Sequence, residues 1–184
     1  MKKFAVLFIC LLPLISKAQE KMVKHKINEE ISYLVPSSFT LMSTNDRLQK
    51  FVSAREPLAM HSTLDREVDL GINWNPMRWT SDDNETVYGF YKASIQSLFD
   101  NVEFIQDGIK EINGKKFVVF EFVSALKSDN AFSGSKSSRY YTYIQYTSYN
   151  NQVLLFNFGC KARLMKTYQS VAKDIMSSVI IDEK

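Results

Sequence analysis

Few residues in this 184-residue chain have the types that do chemistry. Histidine occurs twice, as His25 and His61, and cysteine twice, as Cys10 and Cys160. A zinc site draws on closely paired His and Cys ligands, and this spacing offers none. The histidines are therefore expected to be solvated or locally bonded. Cys160 follows Gly159 at a strand end and has no histidine near it in sequence, so a small buried hydrophobe is the expectation. Asp65, Glu67 and Asp69 alternate along one strand. They could offer oxygens to a divalent cation, but the glycine-bearing spacing of a calcium loop is missing, and a solvent face explains them. Asp82, Asp83 and Glu85 could pair as acid and base, yet a helix start favours acids there without any chemistry. Ser133-Gly134-Ser135 is not a nucleophile elbow, and no phosphate-cradling glycine motif occurs. No stretch carries a catalytic signature, and no cofactor is implied.

Recognition has better candidates. Trp74, Met77, Arg78 and Trp79 crowd around Pro76 at the end of a strand. These residue types are enriched where proteins meet partners. They either contact a partner or ligand, or the two tryptophans cap the edge of the core. Phe132, alone in the polar run 127–138, poses the same question. So do the tyrosines between 140 and 149, which pair apolar bodies with polar tips.

The elements that would position these residues follow from pattern. The stretch from Arg139 to Val179 organises the chain. Tyr140 to Thr147 is β-branched or aromatic almost throughout, so it reads as a strand. Asn150-Asn151 supplies a short turn, and Val153 to Phe158 returns as a central strand, apolar on both parities. Leu164, Tyr168, Val171 and Ile175 then recur at helical spacing, with Ala172, Met176 and Val179 widening the stripe. Upstream, Ile31 to Val35 is a strand stopped by Pro36, and Lys50 to Arg55 a short one broken at Pro57. Ala59 to Arg66 is a strand with a turn, or an irregular loop. In Glu67 to Trp74, Val68, Leu70, Ile72 and Trp74 share a face. A helix capped by Thr80 or Ser81 buries Val87, Tyr91, Ile95 and Leu98, flanked by Phe90, Ala93 and Phe99. Val102 to Gln106 is extended and broken by Gly108, and Asn113-Gly114 marks a type I′ hairpin. Phe117 to Val123 holds one charge, Glu121.

Export is the expectation for the whole. Met1-Lys2-Lys3, the apolar run Phe4 to Ile15 and the small residues before Gln19 compose a secretory signal peptide cleaved after Ala18. The run is too short for a permanent membrane span. Ile9 stands where a lipoprotein signal needs a small residue before its cysteine, so Cys10 is not read as an anchor. The chain carries 23 Lys+Arg against 20 Asp+Glu. Three of those lysines, Lys2, Lys3 and Lys17, leave with the signal, so the mature protein is balanced and has no electrostatic reason to bind nucleic acid. Only Cys160 then remains, and no intrachain disulfide is possible.

The order of elements resembles the α/β/α sandwich of PsbP, the extrinsic photosystem II subunit, and of the Ran-binding Mog proteins; envelope proteins of the DcrB type are similar. The carrying pieces are Tyr33-Leu34-Val35-Pro36, Val68-Asp69-Leu70-Gly71-Ile72, Ile112-Asn113-Gly114-Lys115, and the Tyr143–Phe158 hairpin with its helix, within roughly Glu30 to Ile181. Phe39 stands where relatives often have a tryptophan after the proline. The resemblance implies an α+β fold, an antiparallel β-sheet flanked by helices, and members of this fold are mostly non-enzymatic binding or assembly factors. The expected organisation is a signal peptide at 1–18, a lead-in at 19–30 and a single α+β domain at 31–184. The expected function is an exported, periplasmic or secreted, non-enzymatic module for an unknown protein partner. An envelope protein binding a small ligand or metal in a cleft between sheet and helix is the alternative, and a hydrolase comes third.

Overall fold

Alternating and apolar runs become two antiparallel sheets in the protein, seen here as a computed structural model that describes residues 20–50, 56–125 and 138–182, the side chains of 48–50 excepted. Residues 1–19, where the signal peptide is expected, residues 51–55, Phe132 and the Ser133-Gly134-Ser135 stretch lie outside the described residues. The elements in order are β1 (Met22–Lys26), β2 (Ile31–Pro36), β3 (Thr40–Leu41), α1 (Thr44–Lys50), β4 (Ala59–Ser62), β5 (Val68–Asn75), α2 (Asn84–Leu98), β6 (Asn101–Ile112), β7 (Lys115–Ala125), β8 (Arg139–Tyr149), β9 (Gln152–Lys161), α3 (Met165–Ser177) and β10 (Ile180–Ile181). Short 3₁₀ turns, Ser81–Asp83 and Ala162–Leu164, lead into α2 and α3.

The larger sheet runs β3-β4-β5-β9-β8-β7-β6, and the smaller β1-β2-β10. Tight turns hold the central register. Asn113 and Gly114 have φ of 49° and 80°, and Asn150 and Asn151 have 51° and 57°. A type I′ turn needs positive φ at both positions, which these residues tolerate. Both expected hairpins therefore form, β6–β7 and β8–β9.

The side-chain period of two divides the large sheet into two apolar faces. On one, Val68, Leu70, Ile72, Leu154, Phe156, Phe158 and Tyr141 pack under Ala172, Ile175 and Met176 of α3 and under Ile31, Tyr33 and Val35 of β2. On the other, Val118, Phe120, Phe122, Tyr146 and Val153 meet Val87 and Ile95 of α2. Each large side chain buried this way contributes about 1.5–3 kcal/mol. Both helices are thus sealed by tertiary contact.

Several expectations need correction. The polar stretch expected as a lead-in contains β1, which pairs with β2 from Met22↔Pro36 to Lys26↔Ser32. β2 itself joins this small sheet, closed on its other side by β10. Of the strand expected over Lys50 to Arg55, Lys50 instead ends helix α1 and the rest lies outside the described residues; Ser43 and Asp46 cap the start of α1, the Asp46 N–H donating to Ser43 Oγ at 3.2 Å and the Ser43 hydroxyl to the Asp46 carboxylate at 2.6 Å. Gly108 does not break β6; at φ 137° it lets the strand continue to Ile112. Leu98, expected in the buried stripe of α2, is 66% exposed, because it is the last residue of a helix whose next residue, Phe99, turns in against Phe122. Phe39 is buried, with ring centroids 6.4 Å from both Phe158 and Tyr168.

Candidate functional site

The Trp74–Trp79 segment leaves the sheet at Asn75 and enters α2 by a built turn. Asn75 Oδ1 accepts the Met77 N–H at 3.1 Å, and Asn75 Nδ2 donates to the Tyr91 hydroxyl at 3.1 Å. The Trp79 N–H donates to the Asn151 carbonyl at 3.3 Å, tying the loop to the tip of the β8–β9 hairpin. One Asp83 carboxylate oxygen receives both the N–H of Thr80, at 2.8 Å, and its hydroxyl, at 2.7 Å. The backbone bond first, then the hydroxyl, hold the Asp83 carboxyl below the ordinary carboxylate range. A negative charge thus sits fixed at the start of α2.

The two tryptophans are close in sequence but grip opposite faces of the sheet. Trp74 is half-buried against Tyr149, ring centroids 5.4 Å apart, in the core beneath α3. The Tyr149 hydroxyl in turn donates to the Glu30 carboxylate. Trp79 is only 9% exposed and belongs to the core beneath α2, its ring 6.3 Å from that of Phe90. Its indole Nε1 is buried and has no acceptor among the described residues. Trp79, Thr80, Asn84, Val87, Tyr146 and Ser148 line a notch with room of about 10 Å³. Met77 and Arg78 are exposed, Met77 by 41%, and Phe90 by 49%. Helical spacing makes Phe90 only a flank of the buried stripe. In the structure its ring lies beside both Trp79 and Tyr91, which stacks on Tyr146 at 3.8 Å.

Two polar clusters form that spacing does not reveal. Glu121 is fully buried in the centre of β7 and receives Gln106 Nε2 at 2.5 Å, Gln169 Nε2 at 2.6 Å and the Tyr141 hydroxyl at 3.0 Å. Lys173 Nζ stands 3.9 Å off. A bulge between Phe104 and Gln106 brings Gln106 opposite Glu121. Burial, then the Glu121 charge, pushes the Tyr143 phenol up to about 12. The arrangement binds β6, β7, β8 and α3 to one carboxylate whose oxygens are occupied by protein donors, so it clamps rather than catalyses.

The second cluster joins the two histidines. Register places His25 opposite Tyr33, and the His25 and His61 rings meet edge to face at 4.8 Å. The Tyr33 hydroxyl lies 2.7 Å from His61 Nε2. His61 is 3% exposed, so the solvated alternative does not apply to it, and local bonding does. Burial, then the neighbouring His25, lowers its pKa to about 4. No third ligand joins them: among the described residues no three His, Cys, Asp or Glu side chains converge as a metal site.

The remaining candidates are engaged elsewhere. Glu67 receives Lys161 and Arg163, and Asp65 accepts from the Thr63 hydroxyl at 2.6 Å and the Glu67 N–H at 3.1 Å. Burial, then the Asp69 charge, raises the Cys160 thiol to about 11, so it stays protonated at neutral pH. Ser62 donates to the Val68 carbonyl at 3.2 Å, and His61 meets Tyr33 rather than a nucleophile. Among the described residues no helix is long and apolar enough to cross a membrane.

No protein-family model matches the sequence, and no curated protein matches it either. Solved structures do. PsbP of Synechocystis sp. PCC 6803 is 13% identical, with a TM-score of 0.55 over 93% of this chain and 98% of that one. LpqN, involved in cell envelope biogenesis of Mycobacterium tuberculosis, is 14% identical, with 0.56 over 90% and 91%. The Ran-binding protein Mog1p of Saccharomyces cerevisiae is 7% identical, with 0.56 over 89% and 97%. The chain has the PsbP/Mog-like fold. It is the α+β sandwich expected from the element order, with α2 on one face of the sheet and α3 with β2 on the other. Identities this low establish fold and carry no binding residue across.

Proposed function

We propose that this protein is an exported binding or assembly module without catalytic activity, which meets a protein partner through Met77, Arg78 and Phe90 around the edge of Trp79. The observation that carries the reading is the pairing of exposed apolar side chains with a rigid base. Met77 and Phe90 stay open to solvent, while Trp79 beside them is buried and tied to the β8–β9 hairpin. Aromatic side chains lose little entropy on contact, arginine is enriched at interface hot spots, and a flexible methionine adapts its contacts to the partner. Exposed Leu64 and Leu98 have no such support in the described contacts, and single exposed apolar residues are ordinary. The fold neighbours support a recognition role by analogy, since one is a Ran-binding protein and another is involved in cell envelope biogenesis. The leader pattern supports export.

Trp79 is the wrong residue to truncate as a test. Its burial means that Trp79→Ala lowers stability by about 3 kcal/mol, and lost binding would then be uninformative. Met77→Asp and Phe90→Asp change exposed positions instead. Immobilised mature protein and both variants are compared for capture from a native envelope extract, with Lys166→Glu on exposed α3 as control. The expected result is a partner retained by wild type and control and reduced about tenfold by each rim variant, at unchanged melting temperature. Equal capture by all four proteins contradicts the proposed surface.

A further inference from the structure

Side chains from three strands and both sheets meet where β1 touches β4. We propose that β1 is an acid-released strap: protonation of the His25–His61 pair frees Met22–Lys26 from β2 and from the large sheet while the sandwich beneath stays closed. The junction consists of His25 on β1, Tyr33 on β2 and His61 on β4. The His61 ring lies edge to face with both others, its centroid 4.8 Å from that of His25 and 5.8 Å from that of Tyr33. Its surroundings suit the neutral ring. Nε2 shares one hydrogen bond with the Tyr33 hydroxyl, and Nδ1 is buried with no partner among the described residues. An imidazolium carries a proton on both nitrogens, so the cation buries a charge and an unmet donor beside a second histidine. No acid offsets that charge in the described contacts. β1 brings His25 and β2 brings Tyr33, and the ladder partners of His61 on β3 and β5 are Leu41 and Leu70. Asp69 is paired with Ser62, one residue on, and so takes the opposite face of the sheet. The acids flanking β1 are held elsewhere. Glu20 accepts the Ser38 N–H at 2.9 Å, Glu29 pairs with Lys26 at 3.1 Å, and Glu30 receives the Tyr149 hydroxyl. Lys24 and Lys26 add positive charge to the strand itself.

The closed ring has one easy route to water. β1 is an edge strand paired with β2 alone, and three of its five residues are exposed. β2 keeps β10 on its other side, and Ile31, Tyr33 and Val35 belong to the core. Opening β1 therefore costs less than unfolding the sheet, and it hydrates both histidines. Burial lowers the His25 pKa, and burial, then His25, lowers that of His61 to about 4. A hydrated histidine titrates near 6.5, so the open form binds protons that the closed form refuses. The strap is held fully above that value and is released as pH falls toward 4. Taking His61 alone, the open population rises about twentyfold between pH 7 and pH 5.

Native-state amide exchange of the protein at pH 7 and pH 5, read as protection factors so that the intrinsic pH dependence of exchange is removed, tests the strap. The expected result is that β1 amides open at guanidinium concentrations too low to affect β8 and β9, and that their protection falls about twentyfold at pH 5. The double variant His25→Phe/His61→Leu keeps apolar bulk at both positions and removes both titrating groups. Its β1 protection should be the same at the two pH values. β1 amides that open only together with β8 and β9 overturn the inference. So does β1 protection that is equal at pH 7 and pH 5 in wild type, or a pH response that survives in the double variant. Should the double variant fail to fold, the two wild-type outcomes still decide.

Discussion

His61 shows how a single side chain here is tuned by position rather than by sequence neighbours. It is buried between two elements, with Tyr33 from β2 on Nε2 and His25 from β1 against its ring. Its folded pKa of about 4 lies below the unfolded value near 6.5. Between those values the unfolded chain binds a proton that the folded one refuses, so stability is full above about pH 6.5 and falls as pH drops toward 4. The loss over that window is about 3 kcal/mol, because each tenfold drop in proton affinity is worth roughly 1.4 kcal/mol. Urea unfolding at pH 7 and pH 4.5 should show most of it, and His61→Leu should flatten it. Depressed carboxylates such as Asp83 act lower: their contribution is full above the ordinary carboxylate value and is lost as pH falls from there through their lowered folded value. A midpoint independent of pH in wild type contradicts the buried neutral ring. Nothing in the spacing of His25 and His61 announces this contact. It follows from the β1–β2 register, and β1 reads as polar lead-in because it exposes three of its five residues.

At the scale of elements, turns and caps do the organising. Asn113 has two functions in one residue. Its backbone takes the positive φ of the β6–β7 turn, and its side-chain Nδ2 donates to the carbonyls of Ser177, at 3.1 Å, and Val179, at 2.7 Å, where α3 ends. These carbonyls lack helical partners, so Asn113 caps α3 from across the sandwich. Asn113→Gly keeps the turn and loses the cap, and should cost about 1 kcal/mol in thermal unfolding. Asn113→Ala loses both and should cost about 2 kcal/mol. Equal effects would mean that the cap contributes nothing. The turn is legible in the sequence, because Asn-Gly between apolar runs has one common geometry. The cap is not, since it joins residues more than sixty positions apart. Likewise, the stripe of α3 is readable from its period, and the bulge that aims Gln106 at Glu121 is not.

For the whole molecule, pattern predicts the sandwich well and fails where long-range placement decides. The central β8–β9 hairpin, the Asn-Gly hairpin and both amphipathic helices lie where apolar periodicity puts them. The β1-β2-β10 sheet escapes it because β10 is two residues long and β1 mostly faces water. For the candidate site, residue type singles out the Trp74–Trp79 segment but does not tell that its tryptophans face opposite ways. Nor does it show that Phe90, a helix residue, shares the exposed rim. The physical picture is a sheet locked on one face by the Glu121 clamp and on the other by aromatic stacking, presenting a stiff rim at one end. Amide hydrogen exchange of the protein, with and without a partner captured as proposed above, tests that picture most directly. Added protection confined to residues 76–90 and the Asn150–Asn151 tip is the expected result; protection centred on the outer face of α3, with 76–90 unchanged, would contradict it.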